Sequence, residues 1–447
     1  MSKDIRIKRG LSLKLEGEAG KELVKAPRSK TYAIKPPDFH ALVPKMVLKE
    51  GAKVLAGDEL FFSKYTDEIR FTSPVSGVLK YIKRGEKRKI MEVIIEADPE
   101  DTYRDFGKMD AASSDAEAVK QRILESGCGA FINQRPYDII ADPKDTPKAI
   151  FISAVSTAPL APDWGFILKD KLAAFQEGIN ALKKLTPGKV HLGVDASSAQ
   201  YLKDIKGVEL HTVKGPHPAG NVGVQIHKID PINQGDRVWT VNPEDVTIIG
   251  NLFLTGNYIA DKTVAVTGSE ATNRKYFSTK IGAEVSDLIQ KVDEDVRIVS
   301  GNVLTGLKLA YDQHVSFFSN EVTLLPEGNN YRAFGWLPFT YNNIHSNSRT
   351  SLSWLFPNRK FKPTTNLNGE ERALVVTGEM EEVLPMDVYP MQLIKACMAG
   401  DIEKMENLGI YEVAPEDFAL VEYVNTSKIE IQDVIRLGLD LMITEVG

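Results

Sequence analysis

Three of the chain's seven histidines, His211, His217 and His227, stand close together, and the segment Gly215 to Pro231 interleaves two of them with three glycines and three prolines. Glycine frees the backbone for positive φ or for close approach of another group, while proline fixes φ and removes a donor, so such a loop is built to hold a shape. Three imidazoles can hold zinc with a fourth position left for water. Singly, His217 or His227 suits general acid–base work or a hydrogen bond to a quinone carbonyl. The spacing is not the i, i+4 pair of a helical metal site, and the plainer reading is a packed, satisfied ring.

Other chemistry is sparse. Asp293, Glu294 and Asp295 read as a solvated turn. Cys128, between Gly127 and Gly129, is a small residue in a helix-ending turn or a reactive thiol. Two cysteines, Cys128 and Cys397, are too few for a four-thiolate iron–sulfur cluster. No Gly-x-Gly-x-x-Gly, no Gly-x-x-x-x-Gly-Lys-Ser/Thr and no Gly-x-Ser-x-Gly occurs, so the familiar phosphate cradles and the nucleophile elbow are missing.

The elements that must position these groups fall into several bodies, as 447 residues require. A net charge of −6 and a pI near 5.8 leave no footprint for nucleic acid. The longest apolar run, Val246 to Ala260, is broken by Asn251, Thr255, Gly256 and Asn257, so no membrane span is expected. The N-terminus has no signal-peptide core, which predicts a cytoplasmic chain.

From Met46 to Ala97, short β-segments separated by glycine turns predict a small all-β domain. Gly51 to Leu60, followed by Ser73-Pro74-Val75-Ser76-Gly77, is similar to biotinyl/lipoyl barrel-sandwich domains, with Asp67-Glu68 where a lipoylated domain has its lysine. Lys80, Lys83, Arg84, Lys87, Arg88 and Lys89 form a basic run, either a solvated hairpin or a contact for anionic lipid or an acidic partner. Between Ala116 and Gly256, strand runs at Ala149–Ala154, Lys189–Val194 and Val208–Val213 alternate with a helical face from Leu172 to Leu185, predicting an α/β domain with a parallel sheet. Gly250 to Gly256, Gly301 to Gly306, Val266-Thr267-Gly268 and Val376-Thr377-Gly378 all read as strands running into glycine turns. From Leu384 onward helices return, with Asp401 and Ser427 as caps, Pro415 at a first helical position, and Val434, Leu437 and Met442 on the apolar face of the last helix.

The motifs Gly215-Pro216-His217-Pro218-Ala219-Gly220, Leu252-Phe253-Leu254-Thr255-Gly256, Val296 to Gly306, Phe334-Gly335-Trp336, Thr364 to Gly369 and Cys397 to Asp401 together resemble the A-subunit family of Na+-translocating NADH:quinone oxidoreductases, over essentially the whole chain. That family is related to the C subunit of the Rnf complex and to the flavin subunit of respiratory complex I. The resemblance implies a multi-domain α/β plus β fold: a barrel-sandwich domain with an N-terminal segment (1–105, not lipoylated), a Rossmann-like domain (106–257), a β-grasp domain of the soluble-ligand-binding type with extensions (258–378) and a helical domain (379–447). It implies a peripheral subunit on the cytoplasmic face of a bacterial inner membrane, with five partner subunits, some membrane-embedded, and with flavins and iron–sulfur centres on those partners. The chain itself is expected to bind no covalent or iron–sulfur cofactor and to lack a catalytic centre. His217, Asn221 and His227 are the expected quinone-proximal or interface residues. Two alternatives stay open: a soluble flavin- or nicotinamide-dependent oxidoreductase acting alone, and a metal enzyme built on the histidines.

Overall fold

The apolar runs of the middle of the chain form a parallel sheet, because strands buried on both faces are continuously apolar and their crossovers are helices. The computed structural model describes residues 2–328, 334, 345–347 and 352–446; of the motifs quoted above, Gly335 and Trp336 lie outside them. The sheet has seven strands in the order Asp4–Arg6, Glu209–Lys214, Lys189–Val194, Ala149–Ala154, Val238–Val241, Ile132–Arg135, Ile139–Ile140. The first five are parallel, Ile132–Arg135 runs antiparallel to them, and Ile139–Ile140 pairs antiparallel with Ile132–Arg135. Strand order reverses beside Ala149–Ala154, which gives the doubly wound pattern of a Rossmann-like domain. The edge strand Asp4–Arg6 comes from the N-terminal segment, and Leu23–Lys25 joins a different sheet.

The helix Leu172–Lys183 packs closely on Pro243–Thr255, with glycine at the crossing: a Cβ on Gly250 would stand 1.7 Å from the Ala174 carbonyl oxygen, and one on Gly178 2.1 Å from that of Val246. Ten of the thirteen residues in Pro243–Thr255 are buried. That burial corrects the expectation of a strand ending at Gly250 to Gly256. The segment is a helix started by Pro243 and stopped by Gly256 in the left-handed region at φ +79°. A helix buried over most of its surface, with its one exposed residue the apolar Leu254, shows no solvated polar face, so its β-rich composition misleads. Among the described residues no helix is long and apolar enough to cross a membrane.

The glycine-punctuated region forms two small antiparallel sheets, Thr31–Ile34, Ile90–Ala97, Gly77–Arg84, Lys53–Val54 and Pro44–Met46, Glu59–Ser63, Arg70–Thr72. They make the barrel-sandwich. A six-stranded mixed sheet follows, in the order Leu307–Leu309, Val296–Ser300, Glu321–Pro326, Asp261–Thr267, Tyr276–Lys280, Leu23–Lys25. One aromatic chain links the three bodies: Phe39 lies 4.6 Å from Phe71 and 4.8 Å from Phe317, and Phe317 5.0 Å from Phe131, ring centre to ring centre.

Helices fill the C-terminal part. Asp401 caps Ile402–Asn407 by accepting from the Lys404 amide at 3.1 Å, as its type predicts. Three expectations fail here. Ser427 caps nothing; its hydroxyl donates to the Ala373 carbonyl, and the last helix starts at Ile431 behind Glu430. Leu437 is exposed, since Ile435, Leu439 and Met442 take the core face. Val376-Thr377-Gly378 ends no strand and leads into the helix Glu379–Val383.

Candidate functional site at the carboxyl edge of the parallel sheet

The loop from Gly215 to Asn221 leaves the end of Glu209–Lys214 and folds back over the central strand Ala149–Ala154. The Ser153 hydroxyl donates to the Gly220 carbonyl at 2.7 Å, the Gly220 amide donates to Thr157 Oγ1 at 2.8 Å, and Gln225 Nε2 donates to Ser153 Oγ at 2.7 Å. Only Gly215 of the three loop glycines takes positive φ, at +152°. Gly220 and Gly223 are needed for space: a Cβ on the first would come within 2.6 Å of Val155 O and Thr157 Oγ1, and one on the second within 2.4 Å of an Asp417 carboxylate oxygen.

The carboxyl edge is where doubly wound sheets bind ligands. Here the chain itself covers it. From above, the Leu11 amide donates to the His217 carbonyl at 2.8 Å, and Gly10, at φ +136°, lies so close that a Cβ would meet that oxygen at 2.2 Å. From the side, the C-terminal helices dock through Asn221, His227 and Arg135.

The three loop histidines do not converge. His217 is buried, with Nδ1 3.3 Å from Thr157 Oγ1, and burial lowers its pKa to about 4. The Thr157 hydroxyl accepts from Gly220 and so has its own proton for that ring. Asn221 precedes the helix Val222–Ile229 without capping it by its side chain; its Nδ2 donates to the Glu416 carbonyl at 3.3 Å. His227 accepts the Asp387 amide on Nε2 at 3.1 Å, so the proton is on Nδ1, which donates to Glu412 Oε2 at 2.7 Å. Thus His217 ties the loop to the Thr157 side chain, and Asn221 and His227 tie it to the C-terminal part of the chain.

His211 faces a different partner. It lies on the strand Glu209–Lys214, its Nδ1 accepts the Lys3 amide at 3.0 Å, and its Nε2 lies 2.9 Å from His191 Nδ1. Among the described residues, His191, Glu209 and His211 form the one group of three ligand-capable side chains whose ligand atoms lie within 4.8 Å of one another. The hydrogen bonding argues against a metal there. With Nδ1 of His211 accepting from Lys3, its proton sits on Nε2 and points at His191, whereas a metal-binding imidazole donates its far N–H outward. Glu209 pairs with Lys189. The His191 pKa falls to about 4, through burial first and then through His211, and the ring stacks on Phe151 with centres 4.5 Å apart. Cys128 is fully buried, and burial pushes its thiol up to about 12, which leaves no thiolate for chemistry.

Sequence reasoning does not single out two buried charged joints. Arg135 NH1 donates to Asp417 Oδ2 at 2.6 Å, both side chains being almost wholly buried. Glu244, at the start of the helix Pro243–Thr255, accepts from Lys171 Nζ at 2.5 Å, from the Thr263 amide and from Asn320 Nδ2, joining the α/β domain to the six-stranded sheet. No local pattern marks either joint. The His191–His211 pair is within reach, since both residues stand on strand runs legible in the sequence.

Family models match three stretches: the NqrA N-terminal barrel-sandwich hybrid domain over residues 5–98, the NqrA second alpha/beta domain over 114–258, and the NQRA C-terminal domain over 263–310. The A subunit of the Na(+)-translocating NADH-quinone reductase of Saccharophagus degradans is 34% identical over 445 residues, covering 97% of this chain and 98% of that protein. The corresponding A subunits of Marinomonas sp. and of Neisseria meningitidis serogroup A are each 33% identical, over 98% of this chain and 99% and 98% of theirs. Among solved structures, an NAD+-reducing [NiFe]-hydrogenase in the H2-reduced state superposes with a TM-score of 0.40 at 11% identity, over 75% of this chain and 62% of that one, a likeness too loose to bear on function. With three domains matched in order and relatives aligned from end to end, the chain belongs to the A-subunit family of the Na(+)-translocating NADH-quinone reductase.

Proposed function

We propose that this chain works as a peripheral subunit of a sodium-translocating NADH:quinone reductase, capping the membrane subunits from the cytoplasmic face. The observation that carries the reading is the alignment with named A subunits over almost the full length of both chains. In this reading the sodium path, the flavins and the iron–sulfur centres belong to five partner subunits. The chain's own contribution is a rigid body in which loop, strand and helix ends are locked to one another by Arg135–Asp417, His227–Glu412 and Glu244–Lys171.

The reading includes a quinone contact near His217, Asn221 and His227, supported by their position at the carboxyl edge of a doubly wound sheet. A photoreactive quinone applied to the assembled complex is expected to label residues 215–231. Label confined to other segments of the chain removes that contact from the proposal.

Membership of the complex is tested by solubilising membranes gently, capturing this chain and identifying what accompanies it. Membrane-embedded partners carrying flavin are expected. Recovery of the chain alone, with or without its own yellow chromophore, overturns the assignment, and the chromophore decides whether a soluble oxidoreductase replaces it.

A further inference from the structure

We propose that one end of the barrel-sandwich seats on a lipid surface carrying anionic headgroups. The surface joins the hairpin of Gly77–Arg84 and Ile90–Ala97 to the edge strand Pro44–Met46.

At the hairpin tip Arg84, Lys87, Arg88 and Lys89 are all exposed, with Glu86 as the one acid among them. Lower on the stem Lys80 pairs with Glu96 at 3.1 Å and Lys83 with Glu92 at 3.4 Å. Among the described residues the four tip cations form no ion pair; Arg84 NH1 donates to the Arg88 carbonyl at 3.1 Å and keeps its charge uncompensated. Lys87 and Arg88 also take left-handed backbone, at φ 51° and 62°. Glycine or asparagine occupies such positions at little cost, so two long basic side chains there strain the tip.

Apolar groups flank the charge. Val43, Val47, Tyr65 and Tyr81 are 39%, 49%, 74% and 51% exposed. The Ile82 amide donates to Glu50 Oε1 at 2.8 Å, which brings the segment after Pro44–Met46, with Val47, alongside the hairpin stem at Tyr81. Val43 and Tyr65 lie at the other end of that strand, joined by the Lys64 amide donating to the Val43 carbonyl at 2.8 Å, with Asp67 and Glu68 exposed just beyond Tyr65. Lys45 Nζ lies 5.3 Å from the Phe62 ring centre. Residues 43–92 hold eleven basic and seven acidic side chains, in a chain whose net charge is −6.

Uncompensated cations beside exposed tyrosine and valine fit the boundary of a charged leaflet, where basic groups meet phosphate and tyrosine rings sit at headgroup depth. A purely acidic protein surface would leave the valines and tyrosines without a match. This contact stands apart from membership of the complex, and its test needs no other chain.

The purified full-length chain is mixed with vesicles of phosphatidylcholine alone and with vesicles in which phosphatidylglycerol replaces part of it, and sedimented. Binding to the anionic vesicles only, weakening as salt is added, is expected. The combined change Lys87→Gln, Arg88→Gln and Lys89→Gln lowers that binding by about a hundredfold, at roughly fivefold per basic residue. A second variant, Tyr81→Ser with Val47→Ser, weakens binding while keeping its salt dependence. Both variants are checked for an unchanged melting temperature. No binding, equal binding to both vesicles, or full binding by the triple variant overturns the proposal. A triple variant that binds vesicles normally but loses its co-purifying partners assigns the surface to an acidic protein instead.

Discussion

His191 and His211 stand on neighbouring parallel strands, Nδ1 of one 2.9 Å from Nε2 of the other, and the Lys3 amide fixes which of them owns the shared proton. Two imidazoles of the kind that hold metals are instead a neutral hydrogen-bonded pair tying the N-terminal edge strand to the sheet.

Neutral buried histidines make the fold acid-sensitive. The ordinary value is 6.5, and burial takes His191 and His217 to about 4 in the folded state. The unfolded chain therefore binds the proton first: stability is full above pH 6.5 and falls as the pH drops from 6.5 toward 4, by up to ~3 kcal/mol for each ring. Urea midpoints measured across that range should fall steeply for the native chain and less steeply for His217→Gln. Parallel slopes would rule the account out.

Glu321 gives the opposite sign. It is fully enclosed, hydrogen-bonded to Thr267 Oγ1 at 2.9 Å and Thr323 Oγ1 at 3.1 Å, and burial raises its pKa from 4.5 to about 8. Its contribution is complete below pH 4.5 and is lost as the pH rises to 8. Glu321→Gln keeps the acceptor oxygen without the charge. It should be more stable than the native chain by about 4 kcal/mol at pH 8 and nearly indistinguishable from it at pH 4.5, read by chemical denaturation.

Breaking the Arg135–Asp417 joint should be severe. Asp417→Ala leaves a buried guanidinium with only the Glu416 carboxylate, 4.0 Å away, to answer its charge, a loss of roughly 3–5 kcal/mol. Removing both charges with Arg135→Met and Asp417→Leu should recover much of it. A double variant no more stable than the single one would show that packing, not charge, holds the joint.

The glycines separate two kinds of cost. Gly250→Ala drives a methyl into the Ala174 carbonyl and should cost about 1–3 kcal/mol or more by overpacking. Gly235→Ala meets nothing within 4 Å and carries only the left-handed strain at φ +85°, roughly 1–2 kcal/mol. Thermal melts of the two variants give the order directly.

What is legible in the sequence follows from how local each signal is. Ala149–Ala154 and Lys189–Val194 appear with the bounds their apolar runs predict, and Asp401 caps as its residue type requires. The end of the helix Pro243–Thr255, from Gly250, reads as a strand because burial of most of the helix erases the amphipathic period that identifies one. Ser427 reads as a cap because its type favours one, but a hydroxyl has competing acceptors, and the Ala373 carbonyl wins. The carboxyl-edge loop reads as ordered, but its partners lie far off in sequence: Glu412 is 185 residues from His227, and Asp417 is 282 from Arg135. Only the fold brings those residues together.

The edge strand Asp4–Arg6 also sets a clock on biosynthesis. Asp4 pairs with Thr212, 208 residues later. At about 5–20 residues per second of translation, the first strand waits roughly 10–40 s for its neighbour to emerge. Through that interval Ile5 and Ile7, buried in the finished protein, are open to water and to chaperones, and neighbouring segments wait longer still, Leu15 for Phe361 and His40 for Asp440.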